Sequence, residues 1–361
     1  MKQLISTITF CGLALLTLSC SPGSSSDSGG ESTPAFNDTD TITQFADAVL
    51  LPTYADLEKQ ALALHEAIAA LENDTSEANL TAAQQAWIAT RAPWEKSEGF
   101  LFGPVDSNGY DPALDSWPVS HTDLETVLSN QNDYSSDFIQ TLDGDKKGFH
   151  TIEFLLFGRD KSKQASDLNA NEMAYLKALT ENLWQTAKDL HLSWTEGVDG
   201  QPAYRGVFVT AGSSSTAYPS LATAGQEIIN GMIGIADELA NGKIGEPLES
   251  RDTTLVESQY AFNSLTDFMN NLRSLKNAYY GNYDGEEASH SISRYVASVK
   301  PELDSRVKEE IQAAMTSLDA VPEPFRDAIL DDKARVKIAT AQEAIRTLHD
   351  TLQQDVRVLF Q

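Results

Sequence analysis

From Thr41 onward, apolar residues recur three and four positions apart along almost the whole chain, the spacing that lines one face of a helix. Ile42, Phe45, Val49, Leu57, Leu64, Ile68 and Leu71 make the first such stripe, with Pro52 marking a break or restart. Thr75 or Ser76 caps a second helix, predicted over 80–102 with a kink at Pro93. Gly103-Pro104, Asn108-Gly109 and Asp111-Pro112 then interrupt regular structure. Further helices are predicted over 121–128, 147–158, 171–194, 218–240, 255–280, 291–299, 302–318 and 331–360. No long segment alternates with period two. The pattern specifies an all-α protein, built as two helical bundles packed side by side.

The dividing line falls in the glycine- and proline-containing stretch 197–206 and the serine run 211–216 that follows it. This separates an N-terminal bundle, 41–205, from a C-terminal one, 206–361. Glu98-Gly-Phe-Leu-Phe-Gly103 can be laid over Lys276-Asn-Ala-Tyr-Tyr-Gly281. Each follows a long predicted helix with a Gln-aromatic start, Gln84, Gln85 and Trp87 in one and Gln259, Tyr260 and Phe262 in the other. The two bundles are therefore read as pseudo-repeats.

The first forty residues do not belong to this pattern. Lys2 precedes an apolar stretch, 4–18, that is short for a membrane span. It closes on Leu16-Thr-Leu-Ser-Cys20, which resembles a bacterial lipoprotein cleavage box. Residues 1–19 are thus expected to be a signal peptide, Cys20 the lipidated first residue, and 20–40 a flexible tether holding the domain off a bilayer. Ser21 after the cysteine favours the outer membrane, with the body on its periplasmic side or at the cell surface. Cys11 and Cys20 are the two cysteines, so the mature body has no thiol for a disulfide or a cysteine metal site.

Charge narrows the partners. With 26 basic against 53 acidic residues, a formal net charge of −27, the body repels nucleic acid and anionic lipid and attracts cations. The clearest chemistry lies in Gly148-Phe-His-Thr-Ile-Glu-Phe-Leu-Leu-Phe-Gly158. His150 and Glu153, three apart on a helix, share a face among apolar neighbours and could hold one metal ion or orient each other for proton transfer. A further acceptor is expected on the second ring nitrogen of His150. Zinc-protease patterns are missing: Ala69 stands where His65-Glu66 would need a second histidine, and Phe154 follows Glu153. Ser213–Ser215 read as linker, and His121 and His290 as capping or solvated groups.

Several stretches in order resemble the imelysin-like family of bacterial envelope proteins. Gly148-Phe-His-Thr-Ile-Glu153 is similar to that family's Gly-x-His-x-x-Glu signature. Trp87-Ile-Ala-Thr-Arg91-Ala-Pro-Trp94-Glu-Lys-Ser-Glu98-Gly-Phe-Leu-Phe-Gly resembles its first long helix and turn, and Asp115-Ser-Trp117-Pro118 its Asp-x-Trp-Pro loop. Asn271-Leu-Arg-Ser-Leu-Lys-Asn-Ala-Tyr-Tyr-Gly281 and Val321-Pro-Glu-Pro-Phe-Arg326 add to it. The resemblance implies two pseudo-repeated bundles with the signature near their interface. It points to an insulin-cleaving peptidase on one side and to iron-regulated and iron-uptake proteins on the other. It makes His150, Glu153 and Glu98 the expected metal ligands, with Arg91, Trp94, Asp115 and Trp117 lining the site. Glu95, Asp106, Asp111 and Asp115 are further candidate oxygens, the loop aspartates being read first as turn or cap residues.

One imidazole with two or three carboxylates suits iron, manganese or zinc. The expected function is therefore a lipid-anchored envelope protein that captures or delivers a transition metal, iron foremost and zinc next, to an envelope protein partner. A metallopeptidase is the alternative. A second alternative is a non-catalytic module gripping a protein or polysaccharide, in which His150 hydrogen-bonds Glu153 as interface structure.

Overall fold

The computed structural model describes residues 36–130 and 134–361; the expected signal peptide, the expected lipidation site Cys20 and most of the expected tether lie outside them. The fold starts earlier than the helical pattern indicates. Phe36 is buried with its ring 4.8 Å from those of Tyr295 and Phe360. The Asp38 side chain then accepts the free N–H groups of Asp40 and Thr41 and caps the helix Thr39–Phe45. Residues 36–40, which the sequence pattern assigns to the tether, belong to the folded body.

Helices make up the body, with no strand among the described residues. A five-residue π turn, Ala46–Leu50, leads without a break into Leu51–Asn73, with Pro52 at its start. Leu51–Asn73 packs against Glu77–Glu95 and Ala170–Thr195, and the short signature helix Gly148–Phe157 lies on the latter two. In the second half Leu221–Asp237, Ser264–Tyr280, Pro301–Asp319 and Asp332–Thr351 pack around one another. No described helix is long and apolar enough to cross a membrane.

The two halves of the chain are not separately packed: the described residues cluster as one compact unit, Ala35–Gln361. Glu77–Glu95 rests on Ser264–Tyr280, and the single turn Glu98–Phe100 is wedged against both Leu221–Asp237 and Ser264–Tyr280. Backbone meets backbone here because the facing positions are small. The Gly99 N–H donates to Ser274 Oγ at 2.7 Å, and a Cβ on Gly231 would stand 2.1 Å from the Gly99 carbonyl oxygen. The small-residue face of Leu221–Asp237 is what lets the seam close.

Two predicted helices are shorter than their patterns, and the one over 80–102 ends at Glu95. Residues 255–280 carry a continuous helical stripe, yet the helix begins at Ser264. Ser258 and Phe262 take left-handed conformations, φ 50° and 59°, which non-glycine residues adopt only when held by their surroundings. Tyr260 and Ala261 are buried all the same, so hydropathy alone reads them as helix.

Gly231→Ala is expected to lower stability by about 1–3 kcal/mol through overpacking of this seam. Gly234→Ala, on the same helix with nothing near its Cβ direction, should be neutral or stabilising by up to ~1 kcal/mol. Denaturant melts of the two variants measure the contrast.

Candidate metal centre

The signature helix is placed by its first residue. Gly148 has φ +74°, and a Cβ there would lie 2.3 Å from the Leu114 carbonyl oxygen. Glycine thus allows the helix to start directly on the backbone that precedes Asp115, and two residues on His150 faces Asp115. His150 Nε2 lies 3.1 Å from Asp115 Oδ1 and 3.6 Å from Glu257 Oε1. Its Nδ1 lies 3.2 Å from Glu153 Oε2. The other Glu153 oxygen accepts the backbone N–H groups of Tyr260 and Ala261 at 2.8 and 2.7 Å. Trp117 stands edge-on to the His150 ring, centroids 4.7 Å apart.

Those bonds separate the three expected ligands. Glu153 lies on the Nδ1 side and uses its second oxygen on the Tyr260–Ala261 loop. It is the acceptor that fixes the ring, so the nitrogen facing the carboxylates is Nε2. Glu98 does not reach His150. Its carboxylate pairs with Lys243 Nζ at 2.8 Å and accepts from Asn271 Nδ2 at 3.2 Å. Asp115, expected to line the site and named among the further candidate oxygens, joins both groups: ligand atoms of Asp115, His150 and Glu257 lie within 4.8 Å of one another, as do those of Glu95, Glu98 and Asp115.

Arg91 and Trp94, expected to line this surface, stand at its centre. The buried Arg91 guanidinium pairs with Glu95, Asp115 and Glu257 and lies 3.7 Å from Asp267. It also lies over the Phe149 ring at 4.9 Å. Trp94 Nε1 donates to Asp115 Oδ2. Lys243 closes the far side, 3.1 Å from Glu257 and 3.4 Å from Glu95. A cleft of about 300 Å³ opens there, lined by Glu98, Asp111, Asp115, Glu238, Glu246 and Glu257.

Of the other candidates, Asp111 faces the cleft and Asp106 is exposed. His121 bonds the Tyr260 hydroxyl through Nε2 at 2.8 Å. His290 is half-exposed, with Asp38 and Asp40 no nearer than 3.9 Å. Glu257, Asp267, Lys243 and Glu238 are members of the site that the sequence does not single out. They sit in no motif, and Glu257 lies in the segment whose stripe imitates a helix. The one available signal was the Asn271 run, whose Asn271 holds both Glu95 and Glu98.

Among the described residues Glu95, Glu98, Asp115, Glu153, Glu257 and Asp267 are thus enclosed with only two permanent cations, Arg91 and Lys243. Burial opposes every one of these charges, and the site divides them. Despite burial, Arg91 and His150 hold Asp115 far below the usual carboxylate range. Lys243 and His150 likewise hold Glu257 down to about 2. Burial pushes Asp267 up to about 6, and burial with Asp115 does the same to Asp111. Glu98 is pushed well above its ordinary value by burial, which Lys243 only partly offsets. Burial disfavours a charged His150, but Asp115, Glu153 and Glu257 raise it well above its ordinary value.

The residues fit a hard or borderline cation. His150 Nε2 is buried and makes no well-aligned hydrogen bond, but pairs with the two carboxylate oxygens beside it. Separations of 3.1 and 3.6 Å are close to the ~3.0–3.4 Å between neighbouring ligand atoms of a metal with bonds of roughly 2.1 Å. The excess of buried negative charge is what such an ion would neutralise.

These shifts set the pH profile of the metal-free protein. Asp111 and Asp267, raised to about 6, contribute stability that is full below their ordinary value and lost as pH rises through about 6. His150 acts in the same direction, its contribution lost as pH rises through its raised value. Asp115 and Glu257 oppose this only on the acid side, where their contribution is lost as pH falls below about 4. The melting temperature should therefore be higher near pH ~5 than near pH ~7.5, and Asp267→Asn should reduce that difference. A melting temperature that climbs steadily from the lower to the higher pH would contradict this charge assignment.

Comparison with known proteins agrees with the fold. Residues 50–352 match the peptidase family described as Imelysin. Iron-regulated protein A of Synechococcus elongatus is 35% identical over 321 residues, 89% of this chain and 86% of that protein. A crystal structure named as an iron-regulated protein A precursor from Parabacteroides distasonis superposes with a TM-score of 0.82 at 29% identity, covering 90% of this chain and 95% of that one. An imelysin-like protein from Psychrobacter arcticum shares the fold, with a TM-score of 0.71 at 14% identity over 89% of this chain and 95% of that one. The chain belongs to the imelysin family.

Proposed function

We propose that this protein is an envelope lipoprotein that binds a transition metal, iron foremost, between Asp115, His150 and Glu257, and holds it for uptake or delivery. The observation that carries this reading is the fully buried His150 Nε2 facing two carboxylates that are kept ionised. Glu153 orients the ring, Arg91 fixes Asp115 and Glu257, and Lys243 with Glu98 borders the cleft through which an ion enters. Iron is favoured by the names of two relatives, an iron-regulated protein A and a precursor of one, and by a ligand set of one imidazole and two carboxylates. The anchor at Cys20 and a periplasmic or surface location remain part of this proposal on the sequence pattern, as does a receiving envelope protein.

Two readings compete. The peptidase description of the family favours a metallopeptidase, but a cleft of about 300 Å³ walled by carboxylates suits an ion with its water better than an extended peptide. The His150–Glu153 hydrogen bond at 3.2 Å is what a non-catalytic binding module would also contain. It does not separate the two, because a ligating histidine usually bonds a carboxylate through its other nitrogen. Nε2 separates them.

Metal titration of chelator-treated protein should give about one ion per chain, with release of about one proton near pH 7 as the ion displaces the proton on His150. His150→Ala, Asp115→Asn and Glu257→Gln should each abolish tight binding, and Glu153→Gln should weaken it by roughly 10–100-fold. If iron, zinc and manganese all fail to bind the wild type, the module reading replaces this one.

A further inference from the structure

A second cavity, of about 450 Å³, shares Trp117 and Leu255 with the acidic cleft as a common wall. The same segments build it, but its charge is opposite. Trp117 and Pro118 follow Asp115, Tyr260 belongs to the loop that grips Glu153, and Arg159 stands just past the signature helix. Arg326 ends the Val321-Pro-Glu-Pro-Phe-Arg326 run, which contributes nothing to the acidic cleft.

The arginines are poorly neutralised for so acidic a chain. Arg159 lies over the face of Phe154 at 5.7 Å and pairs with no carboxylate among the described residues. Arg326 is held in place by its surroundings: it lies 5.4 Å over the Phe262 ring and donates to the Arg159 carbonyl oxygen at 2.9 Å. Its one acidic neighbour among the described residues is Asp160, at 3.5 Å and 78% exposed. In a protein with 53 acidic against 26 basic residues, two guanidinium groups at one cavity with a single solvated carboxylate between them are an anion site rather than a solubility feature.

We propose that this cavity binds a small di- or tricarboxylate. Guanidinium forks match planar carboxylates in pairs, and here two forks arrive from separate segments. Trp117, Leu255 and Tyr260 offer apolar wall to a carbon skeleton, while Thr253 and Thr254 also line the cavity with hydroxyl-bearing side chains. That combination fits several carboxylates on one frame better than a compact tetrahedral anion. The volume is within the range of small-molecule pockets. The signature segments then carry a cation site and an anion site back to back, as a protein would that takes up a hard cation together with the carboxylate that carries it. The anion site stands on the cavity's own residues and is tested without metal.

Calorimetric titration of the chelator-treated chain with citrate, and separately with inorganic phosphate, decides it. Saturable citrate binding is expected, weakened on the order of tenfold by Arg159→Gln and strengthened by Asp160→Asn, which removes the competing carboxylate. Arg159 is exposed and its side chain holds no carboxylate, so Arg159→Gln should melt like the wild type and is the decisive variant; Arg326→Gln should weaken binding further. No citrate binding, equal affinity in Arg159→Gln, or phosphate binding tighter than citrate would each overturn the proposal.

Discussion

Arg91 is the side chain on which the two halves of this protein are tied together. Its guanidinium reaches Glu95 on its own helix, Asp115 just after the short helix Tyr110–Leu114, Glu257 on the loop from the second half, and Asp267 on the helix that follows. Ion networks of this kind are expensive to bury, and the attraction among their members offsets the lost hydration only when geometry is good and every charge is met. Here the charges are not all met. Six enclosed carboxylates face two permanent cations among the described residues, a surplus that raises the pKa of His150 and shifts Asp267 and Glu98 toward their protonated forms. A multivalent cation would relieve the same surplus with fewer groups neutralised.

The family signature can be stated in these physical terms. Glycine is required at its start because the helix begins against the Leu114 carbonyl with a positive φ. The histidine presents Nε2 to Asp115 and Glu257. The glutamate three residues on does not extend that ligand set; it holds Nδ1 and is itself held by two backbone N–H groups from the opposite half of the chain. The Tyr260–Ala261 loop that supplies them is bent by the left-handed residues Ser258 and Phe262. Local strain at this place supports the position of the imidazole and brings Glu257 into the same cluster.

Helices are legible in the sequence because apolar periodicity reports which face is buried, and that information is local. The positions of His150, Arg91, Trp94 and Asp115 in one site are legible through the family resemblance. Partnership across the seam is not. Glu257 and Lys243 lie in segments with no motif, and the carboxylate that faces His150 Nε2 is set by how Gly99, Gly231 and Ser274 allow the halves to approach. Glu153 passes for a ligand in the sequence because spacing along a helix says which side chains share a face, not which of them already have partners; Glu98 does so through the resemblance, which is equally silent on its bond to Lys243. The first part of the stripe over 255–280 misleads because buried, apolar residues in a strained loop have the same hydropathy as residues in a helix.

The most direct measurement is diffraction from iron-soaked crystals at wavelengths above and below the iron absorption edge, which locates the metal independently of any variant. An anomalous peak is expected bonded to His150 Nε2 and to carboxylate oxygens of Asp115 and Glu257, with Glu153 still on Nδ1. A peak only at Asp38, Asp40 and His290, or a fully ordered acidic cleft without a peak, would contradict the metal centre.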